Sequence, residues 1–452
     1  MKKRILSLIG RIAAERGVAR VCLYGYGVTN RAILDILKDE TSVELSVLHK
    51  QRVGLPDGIA QAIIGSSDRL DYDIIFASPS VRRESLVTGE RTLVTSDTDL
   101  FFGGNPDECF LVSGSSGKST VTTLTAELLR PRYPRAFVGG NLGTPPAKCD
   151  LAATRGAVIE LSSFQLRYIT PRSKRAIITN ITPNHLDWHS DYDEYVAAKK
   201  GLLTKCDEPI INVDTPSCAE IAAQAPLFAV CSSRLSHREL TSRYRAEHTV
   251  TADDGILIDG ERILGPDGVL LKGAHNLDNL ASAVAMTLGM VNTERIREVA
   301  ESFRGLEHRC EHFLTADGTD FINSSIDTTP ERTKATLEAY DRPVRILLGG
   351  RGKGLSPEPL REPLRRYARR ISIYGEIGEE LLELIESDAE LRRIPHSRFT
   401  RFTDALEYLM QGLEYGDAVI LSPAATSYGE FISYAERGAH FKELIRKRYE
   451  KI

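Results

Sequence analysis

The chain has 452 residues, of which 42% are hydrophobic and 27% are charged. This usage is ordinary for a folded protein and argues against a largely disordered chain, and the length predicts two or three domains. The formal net charge of -4 argues against a nucleic-acid binder that is held mainly by phosphate neutralisation, and it leaves local basic sites open.

The seven cysteines are scattered, with no CxxC pair and no zinc-like spacing. Reduced thiols in a cytoplasm are the simplest interpretation of this pattern. The start of the chain, MKKRILSLIGRIAAERG, has too short an uncharged run before Arg11 for a signal peptide and predicts an amphipathic helix. No run of about 18 apolar residues occurs, so we expect no membrane span. We also expect a cytoplasmic protein that is a monomer.

Short apolar, β-branched runs alternate with segments of helical period, which predicts parallel α/β domains. RVCLYG at 20–25 is a predicted strand, GYGVTN a turn and RAILDILKD a helix. A second glycine-rich turn follows a predicted strand in FLVSGSSGKST, and a helix is predicted from the spacing of apolar residues in VTTLTAELLR.

Further predicted strands lie at 156–163, 175–182 and 209–213, before a helix in HNLDNLASAVAMTLGM. A last set lies at 345–350, 370–375 and 418–424. We therefore predict three α/β domains: a Rossmann-like domain at 1–103, a central P-loop ATPase-like parallel sheet at 104–302, and a Rossmann-like domain at 303–452.

A compact phosphate loop is predicted between a strand and a helix. Its residues are Gly114, Ser115, Ser116, Gly117, Lys118, Ser119 and Thr120. Glycines let backbone N–H groups turn toward phosphate oxygens, Lys118 would contact the β/γ-phosphates, and Ser119 would bind Mg²⁺. The loop departs from GxxxxGK[ST], because Val112 stands where the first glycine would be. The alternative is a surface turn.

The earlier segment Gly25-Tyr26-Gly27-Val28-Thr29-Asn30 is similar to GxGxxG, with asparagine in place of the last glycine. The next predicted strand, VELSVLHK, ends in His49 and Lys50 and not in the acidic residue that binds an NAD ribose. The pattern favours a nucleotide-like phosphate near Gly25 and Gly27 over NAD. An ordinary tight turn is the alternative.

Two further side chains stand after predicted strands. Glu160 ends a buried strand, where a carboxylate can hold a hard cation close to phosphates. His185, in Asn184-His185-Leu186-Asp187, could supply a metal contact, and Asp187 could orient its neighbours. A histidine alone is more often structural, so the prediction depends on the combination.

The motifs GSSGKST, GGNLGTP, ELSSFQL, NITPNHLDWH and YVAAKK resemble those of the Mur ligases in order and spacing. GAHNLDNLASA, FRGLEHRCE, INSSIDTTPERT, LLGGRGKG and LSPAATSYGEFISYAERGAHF continue the resemblance over essentially the whole chain. It implies an ATP- and Mg²⁺-dependent, amide-bond-forming ligase of peptidoglycan precursor synthesis. ELSSFQL and the last motif are most similar to the branch that adds D-glutamate to UDP-N-acetylmuramoyl-L-alanine.

The resemblance also implies roles for individual residues. Lys118 and Ser119 would act at ATP and Mg²⁺, Glu160 and His185 at the metals, and Lys199 as a carbamylated metal ligand. Asn276, Asn279 and Arg309 would contact ATP. The remaining substrate contacts would be Gly25, Gly27, Val28, Thr29, Asn141, Ser162, Gln165, Thr328, Lys353, Ser427 and Phe431. Taken singly, Asn276 could cap a helix, Phe431 could be core packing, Lys353 could be an exposed loop charge, and Lys199 could be an exposed helical lysine.

The sequence departs from the family pattern in two places. At Ser324-Ser325-Ile326 the family pattern has an acidic residue and a lysine, which this sequence lacks. An isoleucine in this segment resembles the sequences of a related branch that uses L-glutamate. VLHKQ lacks the acidic residue expected beside uracil. The stereochemistry of glutamate and the mode of uracil recognition therefore stay open.

Three other functions compete with this one. A folylpolyglutamate-type ligase would share the ATP chemistry but would not need the full N-terminal domain. A P-loop phosphotransferase or nucleotide-binding module would explain GSSGKST alone. An NAD oxidoreductase would rest only on GYGVTN.

Overall fold

The computed structural model describes residues 1–50, 52–64, 69–103, 108–186, 188–270, 274–340, 342–352 and 354–449. The chain divides into two compact units. The first contains Met1–Val269 and Asn276–Glu301, and the second contains Leu270–His275 and Ser302–Ile452.

The first unit begins with a five-stranded parallel sheet in the order β3-β2-β1-β4-β5. Its elements are α1 (Lys2–Arg16), β1 (Ala19–Tyr24), α2 (Val28–Leu37), β2 (Val43–His49), β3 (Ala60–Ile63), β4 (Ile74–Ala77), β5 (Leu93–Thr95) and α3 (Asp97–Phe102). The predicted N-terminal helix and first strand are confirmed. Strand order reverses between β1 and β4, and ligands of such sheets bind at this point, beyond the carboxyl ends of the strands.

The first unit continues with a larger sheet, which in the described residues has the order β14-β13-β12-β11-β10-β9-β6-β8-β7. Its strands are β6 (Cys109–Ser113), β7 (Phe137–Gly140), β8 (Ala157–Glu160), β9 (Ser173–Ile178), β10 (Cys206–Asn212), β11 (Leu227–Ser232), β12 (Ala246–Thr251), β13 (Ile256–Ile258) and β14 (Glu261–Leu264). The associated helices are α4 (Lys118–Leu129), α5 (Ser163–Leu166), α6 (Tyr192–Lys200), α7 (Pro216–Ala223), α8 (His237–Arg243), α9 (Ala274–Ala285) and α10 (Thr293–Ser302).

The expectation of a purely parallel central sheet is corrected by β13 and β14, which pair antiparallel at one edge. Only two residues, Asp259 and Gly260, separate these strands, and so short a connection can join only antiparallel neighbours. Strands β6 to β12 pair with one another in parallel, and β6, β8 and β9 lie side by side. The carboxyl ends of these three strands therefore meet at one edge.

The second unit contains a sheet of order β15-β16-β20-β17-β18-β19 in its described residues. Its elements are β15 (Glu311–Ala316), β16 (Thr319–Asn323), α11 (Pro330–Tyr340), β17 (Val344–Gly349), α12 (Arg361–Tyr367), β18 (Ala368–Tyr374), α13 (Gly378–Glu386), β19 (His396–Phe399), α14 (Phe402–Leu409), β20 (Ala418–Leu421) and α15 (Tyr434–Tyr449). The strands predicted at 345–350, 370–375 and 418–424 are confirmed within a few residues. Strand β15 pairs antiparallel with β16, and the other pairs are parallel.

The fold class is mixed α/β, with helices packed on sheets that are mostly parallel. Central strands such as β4, β6, β8, β17 and β20 are buried along their whole length, as expected for strands covered on both faces. All seven cysteines lie in the described part of the chain, and none forms a disulfide. Among the described helices, none combines the length and the apolar character that crossing a membrane requires.

Candidate active site

The segment Gly114–Gly117 forms a tight turn between β6 and the N-terminus of α4. Gly114 has φ +156° and Gly117 has φ +78°, values that favour glycine. A Cβ on Gly114 would lie 2.0 Å from Thr179 Oγ1, and one on Gly117 would lie 2.3 Å from Asn279 Oδ1. Both glycines are therefore required by conformation and by close packing, as predicted for a phosphate loop.

Asn180, just beyond β9, holds the turn in shape. Its Oδ1 accepts hydrogen bonds from the backbone N–H groups of Ser115 (3.2 Å) and Ser116 (2.9 Å). Its backbone carbonyl accepts a further bond from Ser115 N (2.9 Å). Sequence reasoning missed this residue, although its place directly after a buried strand, in the motif ITNIT, was a usable signal.

Lys118 is the first residue of α4, and its side chain folds back over the turn. Its Nζ donates to the backbone carbonyl oxygens of Gly114 (2.9 Å) and Ser115 (3.1 Å). The ammonium group therefore lies beside the loop whose N–H groups and helix terminus favour an anion.

Glu160, the last residue of β8, brings two other predicted site residues together. Ser119 Oγ donates to Glu160 Oε2 (2.6 Å), and Asn141 Nδ2 donates to Glu160 Oε1 (2.7 Å). Glu160 and Ser119 are both buried. The adjacent β6 and β8 place the hydroxyl and the carboxylate at the same edge of the sheet.

Lys199, in the last turn of α6, is buried and reaches the same loop. Its Nζ donates to Gly114 O (2.8 Å) and lies 4.7 Å from the centre of the Tyr195 ring. Burial, followed by repulsion from the Lys118 charge, holds the pKa of Lys199 well below its usual range. The alternative of an exposed helical lysine is therefore wrong, because this side chain is only 1% exposed.

Tyr195, one turn before Lys199 on α6, was not predicted as a site residue. Its hydroxyl lies 2.6 Å from Ser115 Oγ, which also donates to Thr182 O (3.0 Å). Residues four apart share a helix face, so Tyr195 and Lys199 approach the loop together. This i, i+4 spacing within YVAAK could have indicated both residues.

The residues at this loop fit Mg²⁺, a hard cation that prefers oxygen ligands and is usually bound by one or two carboxylates together with phosphate oxygens. The Ser119 hydroxyl and the Glu160 carboxylate lie in contact beside the loop. Within the described residues, no cluster of three or more His, Cys, Asp or Glu side chains could hold a metal by itself. The donor set therefore fits an ion that shares its coordination with the phosphates of a nucleotide.

His185 lies in the loop before α6, with an exposed side chain and a backbone φ of 55°. Its ring packs against Phe164, with 5.0 Å between ring centroids. The neighbouring His189 is buried, and its Nε2 lies 2.9 Å from Ser163 Oγ. Asp187 lies outside the described residues.

Ser162 and Gln165, predicted as substrate contacts, form a capping box at the start of α5. Gln165 N donates to Ser162 Oγ (3.3 Å), and Ser162 N donates to Gln165 Oε1 (2.9 Å). Gln165 Nε2 also donates to Thr98 Oγ1 (3.1 Å). Their side chains shape the backbone that follows Glu160.

Asn276 and Asn279 lie one turn apart on α9. Asn279 packs against Gly117, so the structure places it on the phosphate loop. Its neighbour Asp278 accepts a hydrogen bond from Asn212 Nδ2 (2.7 Å), which ties α9 to the end of β10. Burial and the nearby Asp214 raise the pKa of Asp278 to about 6.

The predicted residues Gly25, Gly27, Val28 and Thr29 lie at the other glycine turn, between β1 and α2. Gly25 has φ +84°, and a Cβ there would lie 2.7 Å from Ser78 Cβ. The buried Asn30 fixes the turn, because its Nδ2 donates to the backbone carbonyls of Tyr24 (3.2 Å), Gly25 (2.7 Å) and Phe76 (3.0 Å). Asparagine thus serves in place of the missing third glycine.

In the second unit, Ser427 is buried and lines a cavity of about 490 Å³, which also contacts Tyr374, Glu376 and Arg401. Phe431 is half-buried, and its ring packs with Phe402, at 5.3 Å between ring centroids, and against an apolar core cluster. The core-packing alternative for Phe431 is therefore supported.

Two other predicted residues of the second unit lie on loops. Thr328 is half-buried just after the altered Ser324–Ile326 segment, and Arg309 is exposed. Ser325 accepts hydrogen bonds from the buried guanidinium of Arg437 through both its hydroxyl and its carbonyl (2.9 Å each). Lys353 lies outside the described residues.

These features define an α/β protein with a lysine-containing phosphate loop and an adjacent carboxylate for a hard cation. The model of the Mur ligase middle domain matches residues 112–287, which include the loop, Glu160, Lys199 and Asn279. A relative from Ruminiclostridium cellulolyticum is 31% identical, and the match covers 94% of this chain and 96% of the relative. A second, from Clostridium kluyveri, is 30% identical with the same coverage. The chain belongs to the Mur ligase family.

The two relatives both bear the name UDP-N-acetylmuramoylalanine–D-glutamate ligase. Among solved structures, the UDP-N-acetylmuramate-alanine ligase of Thermotoga maritima is similar, with a TM-score of 0.59 and 15% identity. That match covers 95% of this chain and 100% of the other. At this identity the likeness concerns the fold.

Proposed function

We propose that this Mur ligase joins D-glutamate to UDP-N-acetylmuramoyl-L-alanine, with hydrolysis of ATP to ADP and phosphate, in peptidoglycan precursor synthesis. The substrates follow the names of relatives that match nearly the whole chain. The observation that carries the chemistry is the group formed by Lys118, Ser119, Glu160 and Lys199 around one phosphate loop. A carboxylate is a poor electrophile, and such a group suits its activation by phosphorylation.

In the first step, a carboxylate oxygen of the muramoyl-alanine attacks the γ-phosphorus of ATP, and ADP leaves. The product is an acyl phosphate. Two anions approach each other in this step, so positive charge and oriented N–H groups must stabilise the transition state. The Lys118 ammonium and the backbone amides at the N-terminus of α4 supply them. Ser119 and Glu160 would hold a bound Mg²⁺, which would supply further charge neutralisation.

In the second step, the glutamate amine attacks the acyl carbon, the amide bond forms and phosphate leaves. The amine must lose a proton, which a neighbouring oxygen base or water accepts. We assign glutamate binding to the second unit, near Ser427, Thr328 and Lys353, and assign the nucleotide portion to the turn at Gly25 and Gly27.

Lys199 is proposed to act as a carbamate. Its neutral amine would react with CO₂ and release a proton, which replaces a buried ammonium by an anion with oxygen donors. The lowered pKa of Lys199 favours the neutral amine that this reaction needs. A carbamate would suit Mg²⁺ better than an ammonium group would.

The other site assignments are part of the same proposal. His185 is assigned to the metals, Asn276, Asn279 and Arg309 to ATP, and Val28, Thr29, Asn141, Ser162, Gln165 and Phe431 to substrate. We also propose three domains, at 1–103, 104–302 and 303–452, and a cytoplasmic monomer.

Phosphate release tests the proposed reaction. Release should require ATP, UDP-N-acetylmuramoyl-L-alanine and D-glutamate together, and omission of any one should abolish it. Turnover only with L-glutamate would correct the stereochemistry. ATP hydrolysis that is independent of both other substrates would instead support a phosphotransferase or a simple nucleotide-binding module.

A further inference from the structure

A second cavity of the first unit lies at the end of the larger sheet that is opposite the phosphate loop. Its volume is about 710 Å³, a size that accommodates a small molecule. Arg175, Glu208 and Phe228 line it from the second or third positions of β9, β10 and β11. The phosphate loop follows the last residue of β6, which pairs in parallel with β9. Because the amino ends of parallel strands lie opposite their carboxyl ends, this cavity is separate from the candidate active site.

Arg175 places a buried guanidinium group in the wall of this cavity. The residue is only 4% exposed, and its Cζ lies 4.2 Å from the centre of the Phe228 ring. Its Nε donates to Glu208 Oε2, and its Nη1 donates to Met286 O (3.1 Å). In the described part of the chain, Nη2 has no hydrogen-bond acceptor. The planar group is therefore held in place by two of its nitrogens and keeps the third for a ligand.

The N-terminus of α10 lines the same cavity through Asn292 and Thr293. Asn292 caps this ten-residue helix, because its Oδ1 accepts a hydrogen bond from Arg295 N (3.0 Å). The first amides of a helix lack acceptors within the helix, and they add to the positive end of its dipole. Both Arg175 and the helix terminus therefore favour an anionic group in the cavity.

The acidic side chains of the cavity already have partners. Glu208 lies 2.7 Å from Lys174 Nζ in addition to its bond with the guanidinium. Asp259 lies 2.8 Å from His248 Nδ1, and Glu108 accepts a hydrogen bond from a tyrosine hydroxyl. A cationic ligand would compete with these partners for the carboxylates, whereas an anionic ligand meets a donor that is already in place.

Much of the remaining wall is apolar. It is formed by Phe228, Ile258, Val284, Leu288, Val291 and Ile296. In small-molecule sites, apolar surface of this kind packs against the body of the ligand, and a few polar groups fix its orientation. An inorganic anion such as phosphate would leave this surface in contact with water, so the lining fits an anion that carries an apolar body.

We propose that this cavity is a binding site for a small carboxylic acid with an apolar body. The carboxylate accepts from Arg175 Nη2, and the N-terminus of α10 adds a favourable potential. The apolar body packs against Phe228 and the aliphatic side chains of the wall. The inference does not depend on the proposed ligase reaction, so either can fail while the other stands.

The test compares the affinities of phenylacetate, phenylacetamide and phenethylamine, which share an apolar body and differ in charge. Ligand-observed NMR titration measures them with the full chain, in the presence of a saturating non-hydrolysable ATP analogue that occupies the phosphate loop. Arg175→Met removes the guanidinium and keeps an apolar stem beside Phe228. Thr293→Trp places an indole in the cavity. Arg297→Trp is the matched control, because this exposed position lies on the same helix and does not line the cavity.

We expect the wild type and Arg297→Trp to bind phenylacetate about tenfold more tightly than phenylacetamide, and phenethylamine more weakly than either. Arg175→Met should lose the preference for phenylacetate over phenylacetamide. Thr293→Trp should bind both compounds at least about tenfold more weakly than Arg297→Trp does, because the indole occupies their space. Binding of the ATP analogue checks that each variant is folded.

Two results would overturn the proposal. If the wild type does not bind phenylacetate, or binds it no more tightly than phenylacetamide, the cavity does not select an apolar carboxylate. If Thr293→Trp binds phenylacetate as tightly as Arg297→Trp does, the probe binds elsewhere on the protein. Should Arg175→Met fail to fold, the wild-type comparison of the three probes and the pair of tryptophan variants still decide.

Discussion

The first unit contains two glycine turns with the same backbone plan and different side-chain surroundings. Each follows a buried parallel strand and begins a helix, and each has a glycine at positive φ that a Cβ would force against a neighbour. Around Gly114–Gly117 lie two lysines and a buried carboxylate. Around Gly25–Gly27 lie the side chains of Asn30, Ser78 and His49.

The side chains around each turn determine whether the turn can only bind a phosphate or can also promote phosphoryl transfer. Backbone N–H groups and a helix terminus suffice to hold a phosphate, so both turns can bind one. Transfer of a phosphoryl group also requires charge placed where negative charge accumulates, and at Gly114–Gly117 the Lys118 ammonium and the Glu160 carboxylate with its Ser119 partner provide such a group. Substitutions should therefore affect turnover at Gly114–Gly117 and nucleotide affinity at Gly25–Gly27.

The largest effect is expected from Lys118→Ala. The change removes the ammonium group from the phosphate loop and leaves no core cavity, so kcat should fall on the order of 10²- to 10³-fold with little change in stability. Steady-state phosphate release measures the fall. Lys200→Ala, which removes an exposed lysine on α6, is the control and should retain activity. Near-normal turnover of Lys118→Ala would show that GSSGKST is not the ATP site.

Lys199→Ala should also lose most activity, by about 10²-fold, because it removes an oxygen donor from the metal site if the lysine is carbamylated. Acetate can occupy the vacated ligand position, so added acetate should restore part of the activity of this variant. The same acetate should not activate Lys118→Ala, which lacks a cation and not an anion. A fully active Lys199→Ala variant, or one that loses activity and does not respond to acetate, would contradict the carbamate.

The glycine turn between β6 and α4 could be predicted from the sequence because its signals are local. A strand, two glycines, a lysine and a hydroxyl occur within twelve residues, and the conformation of the turn itself requires the glycines. Glu160 was predicted from its place at the end of a buried strand, whereas Lys199 was identified only through the resemblance to a family, since residue type alone does not distinguish a buried lysine from the exposed Lys200.

Contacts between segments that are distant in the sequence could not be predicted, even where a local signal marked the residues that make them. Asn180 and Tyr195 contact Ser115 across more than 60 residues of sequence, and the order of β6, β8 and β9 brings their segments together. The hydrogen bond from Tyr26 to His49 likewise depends on how β1 pairs with β2. The antiparallel edge formed by β13 and β14 was missed because its strands have only three and four residues.

A smaller effect, on affinity, is expected from Gly25→Ala. The residue has φ +84°, and its new Cβ would meet Ser78 Cβ at 2.7 Å. Left-handed backbone costs a non-glycine residue about 1–2 kcal/mol, so the turn should shift and the KM for the muramoyl nucleotide should rise about tenfold. The KM for ATP should not change.

Gly10→Ala is the control for this variant, because an added Cβ in α1 meets no atom within 4 Å. The double variant Gly25→Ala, Ser78→Gly should recover part of the lost affinity, since it removes the clash and keeps the backbone strain. An equal rise of both KM values would mean that the two turns do not bind separate ligands.

The smallest effect concerns a buried carboxylate outside both turns and should change stability without changing turnover. Asp97, at the start of α3, is fully buried, and its carboxylate accepts hydrogen bonds from Ala147 N (3.0 Å) and Thr98 Oγ1 (3.3 Å). Burial raises the pKa of Asp97 to about 6.

In the unfolded chain the pKa of an aspartate is about 3.9. Between these two values the unfolded state is ionised while the folded state still holds the proton, so Asp97 lowers the stability of the fold progressively as pH rises. Above pH 6 the penalty is complete, on the order of 3 kcal/mol. Asp97→Asn cannot ionise, and its amide can accept from Ala147 N while its Nδ2 donates to Thr98 Oγ1, which reverses the direction of that bond. Its free energy of unfolding should therefore exceed that of the wild type by a margin that grows between pH 4 and pH 6 and is constant above. Urea unfolding followed by the fluorescence of Trp188, the only tryptophan of the chain, reports on the first unit and measures this margin. A margin that is the same at pH 4.5 and pH 7.5 would show that Asp97 is ionised in the folded protein throughout this range.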